Sequence, residues 1–238
     1  EAAFTVIASI GLQSVRLSEP TLGETFMVIG LGLIGLITCQ ILKANGCKVI
    51  ATDIDPNKKK IADSLGLKFF CINSEEVFIN WCMNETSGYG VDGVIISAST
   101  KSSDPIQLAA KVSRKKGRIV LLGVTGLNLR RDLFYKKELS FKVSCSYGPG
   151  RYEDLYEEKG LDYPLPYIRW TEKRNFESIL HLLANKQLNV NQLISHRFDI
   201  KDAKKAYELI SENEPSLGIV IKYPYEKVLM NKEVYFSN

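Results

Sequence analysis

Three glycines and one aspartate are the residues whose types and spacing indicate ligand binding. Gly30, Gly32 and Gly35 form a G-x-G-x-x-G pattern, and Asp53 follows about 20 residues later. In such a pattern the first glycine permits a tight turn, the second lets a pyrophosphate approach the backbone, and the third lets a helix pack close to a strand. The phosphates would lie on free N–H groups at the start of that helix, and the carboxylate would accept both hydroxyls of an adenosine ribose. These four residues predict a dinucleotide-binding unit.

The segments around these residues are those that the unit requires. Residues 26–29 form an apolar run, as expected of a parallel strand buried on both faces. A helical pattern follows the glycines and ends at Asn45-Gly46, and a second strand, residues 48–52, ends at Asp53. Asp55-Pro56 then opens another helix. A glycine triplet alone is weak evidence, whereas this agreement between levels favours the binding unit.

The alternation of patterns predicts an α/β fold. Further strands are predicted at 67–72, 91–97, 118–122 and 139–147, and further helices at 2–15, 74–83, 104–116 and 133–137. We therefore expect a doubly wound, parallel, six-stranded sheet of the Rossmann type, ordered 3-2-1-4-5-6. Ligands bind at the carboxyl ends of such strands, which places Ser97–Thr100 and Gly123–Thr125 beside the glycines and Asp53.

After Gly148 the pattern changes. We predict a dinucleotide-binding domain over residues 1–149, a C-terminal helical and strand appendage over 150–224, and a linker or tail over 225–238. The appendage has predicted helices at 176–183 and 202–210 and a predicted strand at 217–223. Residues 151–174, rich in tyrosine and charged side chains, fit a substrate-facing loop and a solvated connector equally well.

The composition is that of an ordinary soluble protein, with 45% hydrophobic and 24% charged residues. A net charge of +4 gives no argument for nucleic-acid binding, and no apolar run is long enough to cross a membrane. The five cysteines are scattered, without a C-x-x-C pair, which predicts a reducing, cytoplasmic compartment. The chain begins at Glu1 without methionine, and we expect it to be a piece of a longer protein.

Five stretches carry a family resemblance. They are VIGLGLIGL at 28–36, ATDIDPNKKKIADSLG at 51–66, GRIVLLG at 117–123, LISHRFDIKDAKKAYELI at 193–210 and GIVIKY at 218–223. The chain resembles the cofactor half of the medium-chain, alcohol-dehydrogenase-like oxidoreductases. Residues 146–175 resemble, more particularly, bacterial two-part oxidoreductases with a following glucose-fructose-oxidoreductase-like half. That resemblance implies a sugar or nucleotide-sugar substrate of surface polysaccharide synthesis.

The resemblance implies NAD as cofactor and assigns roles to residues. The amides of Gly32, Leu33 and Ile34 would bind the pyrophosphate, Asp53 would bind the ribose, and Lys58 would lie near the same ribose. The backbone around Val124 and around 145–147 would meet the nicotinamide carboxamide. Lys58 is equally well explained as a solvated lysine in its Lys-Lys-Lys turn. In the resembled family two edge strands pair, so we expect a homodimer.

The chain also departs from the family. In the resembled family a β-rich half that carries most catalytic groups precedes the cofactor half, and we expect this chain to lack it. The resemblance also implies that Val6 stands at the position of a zinc ligand. Valine cannot bind zinc, so we predict no metal site. His181 and His196, on or beside apolar helical stretches, are interpreted as packing or surface residues. No catalytic residue can be assigned.

Three hypotheses about function remain open from the sequence. The leading hypothesis is the NAD-binding portion of an oxidoreductase that transfers a hydride to or from an alcohol or carbonyl. A non-enzymatic dinucleotide-binding or regulatory module is the alternative, because a fold does not fix a function. A methyltransferase using S-adenosylmethionine also has a glycine turn and an acid after its second strand, but it does not need Gly35 or the alcohol-dehydrogenase-like C-terminal stretch.

Overall fold

The structure is a computed structural model that describes residues 1–212 and 214–224. The predicted tail, 225–238, lies outside the described residues. Among the described helices, none is long and apolar enough to cross a lipid bilayer.

Helices and strands alternate along most of the chain. In order they are α1 (Thr5–Ser18), β1 (Thr25–Ile29), α2 (Leu33–Ala44), β2 (Lys48–Asp53), α3 (Lys58–Ser64), β3 (Lys68–Cys71), α4 (Glu75–Glu85), β4 (Val91–Ile96), α5 (Asp104–Val112), β5 (Ser113–Leu121), α6 (Arg131–Lys137), β6 (Ser140–Val143), α7 (Asp154–Glu157), α8 (Glu172–Ala184), β7 (Ile194–Asp199), α9 (Ala203–Ser211) and β8 (Gly218–Lys222).

The first six strands form one parallel sheet in the order β3-β2-β1-β4-β5-β6, which confirms the predicted fold class and strand order. Ile29 of β1 pairs with Thr52 of β2 and with Ile96 of β4, and Ile96 pairs with Leu121 of β5. The carboxyl ends of these four strands are therefore level. The residues that follow each strand lie along one edge of the sheet.

Alternate apolar residues of the strands build the core. Met27, Ile29 and Ile96 belong to a buried cluster with the apolar faces of α4 and α5. Phe26 and Val28, which point the other way, are completely buried as well. A strand buried on both faces reads as a continuous apolar run, which is why the sequence predicts these strands well.

Three local predictions are wrong. The helix predicted to reach Lys116 ends at Val112, and Ser113–Lys116 instead begin β5. The sixth strand, predicted over 139–147, ends at Val143, so residues 146–147 lie in a turn. Strand β7 was not predicted, and it places His196 in a strand next to Phe198 rather than beside a helix.

The chain divides into two compact units, residues 1–192 and the residues from Leu193 onward. The first unit contains the six-stranded sheet and α8. In the second, β7 and β8 pair in parallel, and α9 connects them.

Candidate functional site

The first glycine makes the turn between β1 and α2. Gly30 has a φ of +96°, which favours glycine, and its N–H donates to the carbonyl oxygen of Thr52 at 2.9 Å. Ser97, which follows β4, donates from its hydroxyl to the carbonyl oxygen of Gly30 at 2.6 Å. The turn is thus fixed from both neighbouring strands, at the position where the strand order reverses. In doubly wound sheets this is the position at which ligands bind.

The other two glycines have opposite surroundings. A Cβ built at Gly35 would lie 2.5 Å from the Ser97 hydroxyl oxygen and closer still to the carbonyl oxygen of Gly30. A Cβ built at Gly32 would meet no atom within 4 Å. Gly35 is therefore required by the packing of α2 against the turn, whereas the fold places no steric limit on Gly32. This contrast fits a backbone that a pyrophosphate approaches at Gly32.

The first turn of α2 offers hydrogen-bond donors. Gly32 precedes the helix in an extended conformation (φ −69°, ψ −176°), and no side chain caps the helix start. The first N–H groups of a helix have no partner within the helix and carry the positive end of its dipole. Leu33 and Ile34, both half-buried, lie in this turn. The residues present therefore fit the pyrophosphate of a dinucleotide.

Asp53 lies at the end of β2 and contacts the glycine turn directly. Its Oδ2 accepts a hydrogen bond from the N–H of Leu31 at 2.6 Å, and its Oδ1 accepts one from the N–H of Asp55 at 2.9 Å. Each oxygen of an ionised carboxylate can accept further bonds. The carboxylate can therefore hold the turn and still accept hydroxyl donors. Sequence reasoning missed the contact with Leu31, because it joins residues 22 positions apart.

Two neighbours of Asp53 complete this side of the site. Ile54 is 79% exposed, an unusual position for a large aliphatic side chain beside a buried strand. Lys58 is half-buried at the first position of α3, and its ammonium group has no ion pair within the described residues. That Lys58 lies near the ribose stays a prediction.

Val124 lies beyond the end of β5. Its N–H donates to the carbonyl oxygen of Ala98 at 3.1 Å, and its carbonyl oxygen accepts from the N–H of Thr100 at 2.8 Å. Its side chain is 72% exposed. The backbone N–H of Val124 is thus already used within the fold, so at this residue the carbonyl oxygen and the side chain are the groups that can meet a ligand.

No metal site forms within residues 1–212 and 214–224, where no group of three or more potential ligands converges. Val6 lies on α1 with 46% of its surface exposed. Glu1, the nearest acid, accepts a hydrogen bond from the side-chain amide of Asn191. The described residues do not fit a zinc ion.

Two of the cysteines and both histidines lie outside the glycine turn. Burial raises the pKa of Cys39 and of Cys82 to about 12, so neither thiol is a nucleophile near neutral pH. His181 is exposed on α8, with Nε2 2.8 Å from the side-chain nitrogen of Asn185. His196 is half-buried, with Nδ1 2.9 Å from the Ser195 hydroxyl oxygen. Both histidines are packing or surface residues, as the sequence predicts.

Comparison with known proteins identifies the family of this chain. The sequence profile of the zinc-binding dehydrogenases matches residues 34–159, more than half of the chain. The chain belongs to the zinc-binding dehydrogenase family. The match begins within the first turn of α2, after Gly30 and Gly32, and it includes Asp53, Ser97 and Val124.

Individual curated dehydrogenases and reductases resemble the chain over most of its length. It is 26% identical over 219 residues to the D-xylulose reductase of Scheffersomyces stipitis, covering 91% of this chain and 55% of the relative. It is 28% identical over 197 residues to the sorbitol dehydrogenase of Halalkalibacterium halodurans, covering 81% and 50%. The chain spans about half the length of the curated relatives it matches.

A solved structure shows the same fold. The alcohol dehydrogenase TADH from Thermus sp. ATN1 superimposes with a TM-score of 0.72 at 22% identity, covering 94% of this chain and 59% of the other. At this identity the similarity supports the fold alone.

Proposed function

We propose that this chain is the NAD-binding portion of an oxidoreductase that transfers a hydride between the nicotinamide and an alcohol or carbonyl. Family membership supports a nicotinamide cofactor and chemistry on an alcohol or sugar. NAD itself, and the residues that bind it, are proposed from the geometry of the carboxyl edge of the sheet.

The observation that carries the proposal is the connection between the glycine turn and Asp53. Ser97 fixes the carbonyl of Gly30, and Asp53 fixes the N–H of Leu31. One group of contacts thus sets both the donors at the start of α2 and the carboxylate at the end of β2. A dinucleotide needs both at once, because its pyrophosphate and its adenosine ribose are covalently joined.

Each candidate residue has a proposed task. The amides of Leu33 and Ile34 bind the pyrophosphate, Asp53 binds the ribose diol, and Lys58 lies beside that ribose. Ile54 provides an exposed apolar surface next to the ribose position. Gly123 packs so closely that a Cβ would lie 2.8 Å from the carbonyl carbon of Ser97, which brings Val124 to the same edge. Val124 would meet the nicotinamide end.

When bound, the cofactor supplies the hydride donor or acceptor. The residues described here bind and orient it. Hydride transfer also needs a group that exchanges the proton of the substrate hydroxyl. No such group is assigned among the described residues.

Preference for NAD over NADP follows from the charge of Asp53. Hydrogen bonds from the ribose hydroxyls to an ionised carboxylate contribute roughly 1.5–3 kcal/mol, which corresponds to about 10- to 100-fold in affinity. The same charge repels a 2′-phosphate, and no arginine is adjacent to it.

The test is a calorimetric titration of the chain with NADH and with NADPH. NADH should bind at least about tenfold more tightly, and Asp53→Asn and Asp53→Ser should each erode that preference. Asp55→Asn is the matched control, because Asp55 also accepts a backbone hydrogen bond, from the N–H of Asn57 at 2.9 Å. Equal affinity of the unmodified chain for the two cofactors would refute the assignment of Asp53.

For the substrate we propose a sugar or nucleotide-sugar, as in surface polysaccharide synthesis. Support comes from the two relatives, which are named for a sugar and a polyol, and from the resemblance of residues 146–175 to two-part oxidoreductases.

We further propose the domain limits 1–149, 150–224 and 225–238. We also propose a cytoplasmic location, which is supported by five free cysteines.

A homodimer is proposed through β6. Within residues 1–212 and 214–224 this strand is an edge of the sheet that pairs with β5 alone, and Val143 at its end is 59% exposed. Unpaired edge strands tend to pair with another chain. The resembled family pairs such edges across a twofold axis.

A further inference from the structure

A second cleft lies in the first compact unit, away from the carboxyl edge of the sheet. Residues of α1, α2 and α8 line it, together with Arg169 and Trp170 just before α8, and its volume is about 640 Å³. The lining includes Ala44 and Asn45 at the C-terminal end of α2. Because α2 has 12 residues, this end is about 18 Å from the glycine turn. The cleft is therefore separate from the proposed dinucleotide site.

The centre of the cleft is an indole held between two guanidinium groups. The Cζ of Arg16 lies 3.3 Å from the centroid of the Trp170 ring, and the Cζ of Arg169 lies 3.8 Å from it. Two guanidinium groups at these distances would overlap if both lay on the same face of the indole ring. They must therefore cover opposite faces. The edges of the guanidinium groups, where the N–H donors lie, remain available to a ligand.

Arg16 has neutral partners only. Its Nε donates to Asn175 Oδ1 at 2.6 Å and its Nη2 donates to Ser178 Oγ at 3.1 Å, and no carboxylate of the described residues pairs with it. A guanidinium has five N–H donors, so several remain. Burial, and then the nearby charge of Arg169, lowers the pKa of Arg16 to about 10. The group is still charged at neutral pH.

The rest of the lining cancels only part of this charge. Arg174 is paired with Asp162 at 2.6 Å, whereas within the described residues neither Arg16 nor Arg169 forms an ion pair. Glu177 is the only acid in the lining, and His181 is the remaining titratable group. Asn175 and Ser178, which hold the Arg16 guanidinium in place, carry no charge. The cleft is a preorganised site with a net positive charge.

We propose that this cleft binds a small oxyanion, a phosphate group carried on a small molecule. A phosphate oxygen pair matches the fork of a guanidinium, and it would relieve the repulsion between Arg16 and Arg169. A volume of this size accommodates a phosphate together with an organic substituent. The proposal does not rest on the proposed oxidoreductase function.

Trp170 provides a direct readout. The chain has two tryptophans, and the other, Trp81, packs against Phe70 and Phe78 in a separate aromatic cluster. Their two indole N–H signals in a ¹⁵N NMR spectrum can be assigned with Trp81→Phe. Inorganic phosphate should shift the Trp170 signal in a saturable way and leave Trp81 unchanged. Phosphate at the glycine turn would not move the Trp170 signal, so the two sites are distinguished.

Arg169→Gln is the decisive variant, because Arg169 is exposed and we expect its replacement to preserve the fold. It should weaken the apparent affinity for phosphate about tenfold or more. Lys173→Gln removes the same charge from an exposed position on α8 outside the cleft and should have no effect. Chloride and acetate at equal ionic strength are the controls for salt and for weaker anions. An unchanged affinity in Arg169→Gln, or an equal response to chloride, would overturn the proposal.

Discussion

Gly32, which faces open space, and Gly35, which is closely packed, together provide the sharpest test of where the cofactor lies. Gly32→Ala introduces a methyl group into open space, at a φ of −69° that alanine readily adopts. The substitution replaces a helix-preceding glycine, which costs less than about 1 kcal/mol of stability. In a protein of this size that corresponds to a melting-temperature change within about 4 °C. If the pyrophosphate lies against Gly32, however, the methyl group excludes it.

Gly35→Ala should instead lower the stability of the fold. Alanine favours a helix over glycine by about 1 kcal/mol, but here its Cβ would lie 2.5 Å from Ser97 Oγ and even closer to the Gly30 carbonyl oxygen. Neither neighbour can move away cheaply, because each belongs to the fixed turn. Overpacking of this kind costs about 1–3 kcal/mol. Because these contacts are so short, the upper end of that range applies, and the helix gain leaves a net loss of about 2 kcal/mol. We expect a melting temperature lower by about 4–8 °C.

The assay combines thermal unfolding with calorimetric titration of NADH for the unmodified chain and both variants. The expected pattern is a Gly32→Ala protein of near-native stability that binds NADH at least about tenfold more weakly, and a Gly35→Ala protein that is clearly destabilised. Native NADH affinity in Gly32→Ala would refute the position of the pyrophosphate. Unchanged stability in Gly35→Ala would refute the packing argument.

Three further predictions concern other parts of the molecule. The ammonium group of Lys137 donates to the carbonyl oxygens of Ala110, Lys111 and Ser113 at 2.9, 2.6 and 2.7 Å. Lys137→Met should therefore lower the free energy of unfolding by about 1–3 kcal/mol in a denaturant titration. Lys136 is exposed, and Lys136→Met should leave that free energy almost unchanged. The chain should be a dimer in light scattering that Val143→Asp converts to monomer; a monomer at high micromolar concentration of the unmodified chain would contradict this. NADH should raise the melting temperature while no alcohol or sugar is turned over, and robust NAD reduction by this chain would show that its residues include the catalytic groups.

The sequence predicts the sheet because its signals there are local. Buried parallel strands read as apolar runs, and the glycine pattern with Asp53 fixes the order of the elements around the site. The predicted strand order is confirmed. Gly30, Asp53 and Ser97 lie at the carboxyl ends of β1, β2 and β4. What the sequence does not reveal is how those residues support one another. Ser97 and Asp53 hold the turn through contacts that span 67 and 22 positions.

The wrong predictions have two different causes. Residues 113–118, SRKKGR, have no apolar periodicity, so nothing local distinguishes a helix end from a strand. The ammonium group of Lys137, more than 20 positions away, hydrogen-bonds the carbonyls at the end of α5. Strand β7 alternates half-buried Ile194, His196 and Phe198 with exposed polar residues, and this period of two was the overlooked signal.

The segment 151–174 also gains structure from contacts that no sequence pattern shows. Arg151 pairs with Glu157, and the hydroxyl of Tyr156 donates to Thr171 Oγ1 at 3.0 Å. Trp170 contacts Arg16, more than 150 residues earlier in the chain. The sequence therefore does not predict the cleft around Trp170, because that cleft is formed by residues distant in the chain.

The central claim is that a nicotinamide dinucleotide lies along the carboxyl edge of the sheet, across the reversal between β1 and β4. A crystal structure of this chain grown with NADH tests it most directly. The account predicts the pyrophosphate on the N–H groups of Leu33 and Ile34, and the adenosine ribose diol within hydrogen-bond distance of Asp53. A pyrophosphate bound elsewhere, or a ribose that does not contact Asp53, would contradict it.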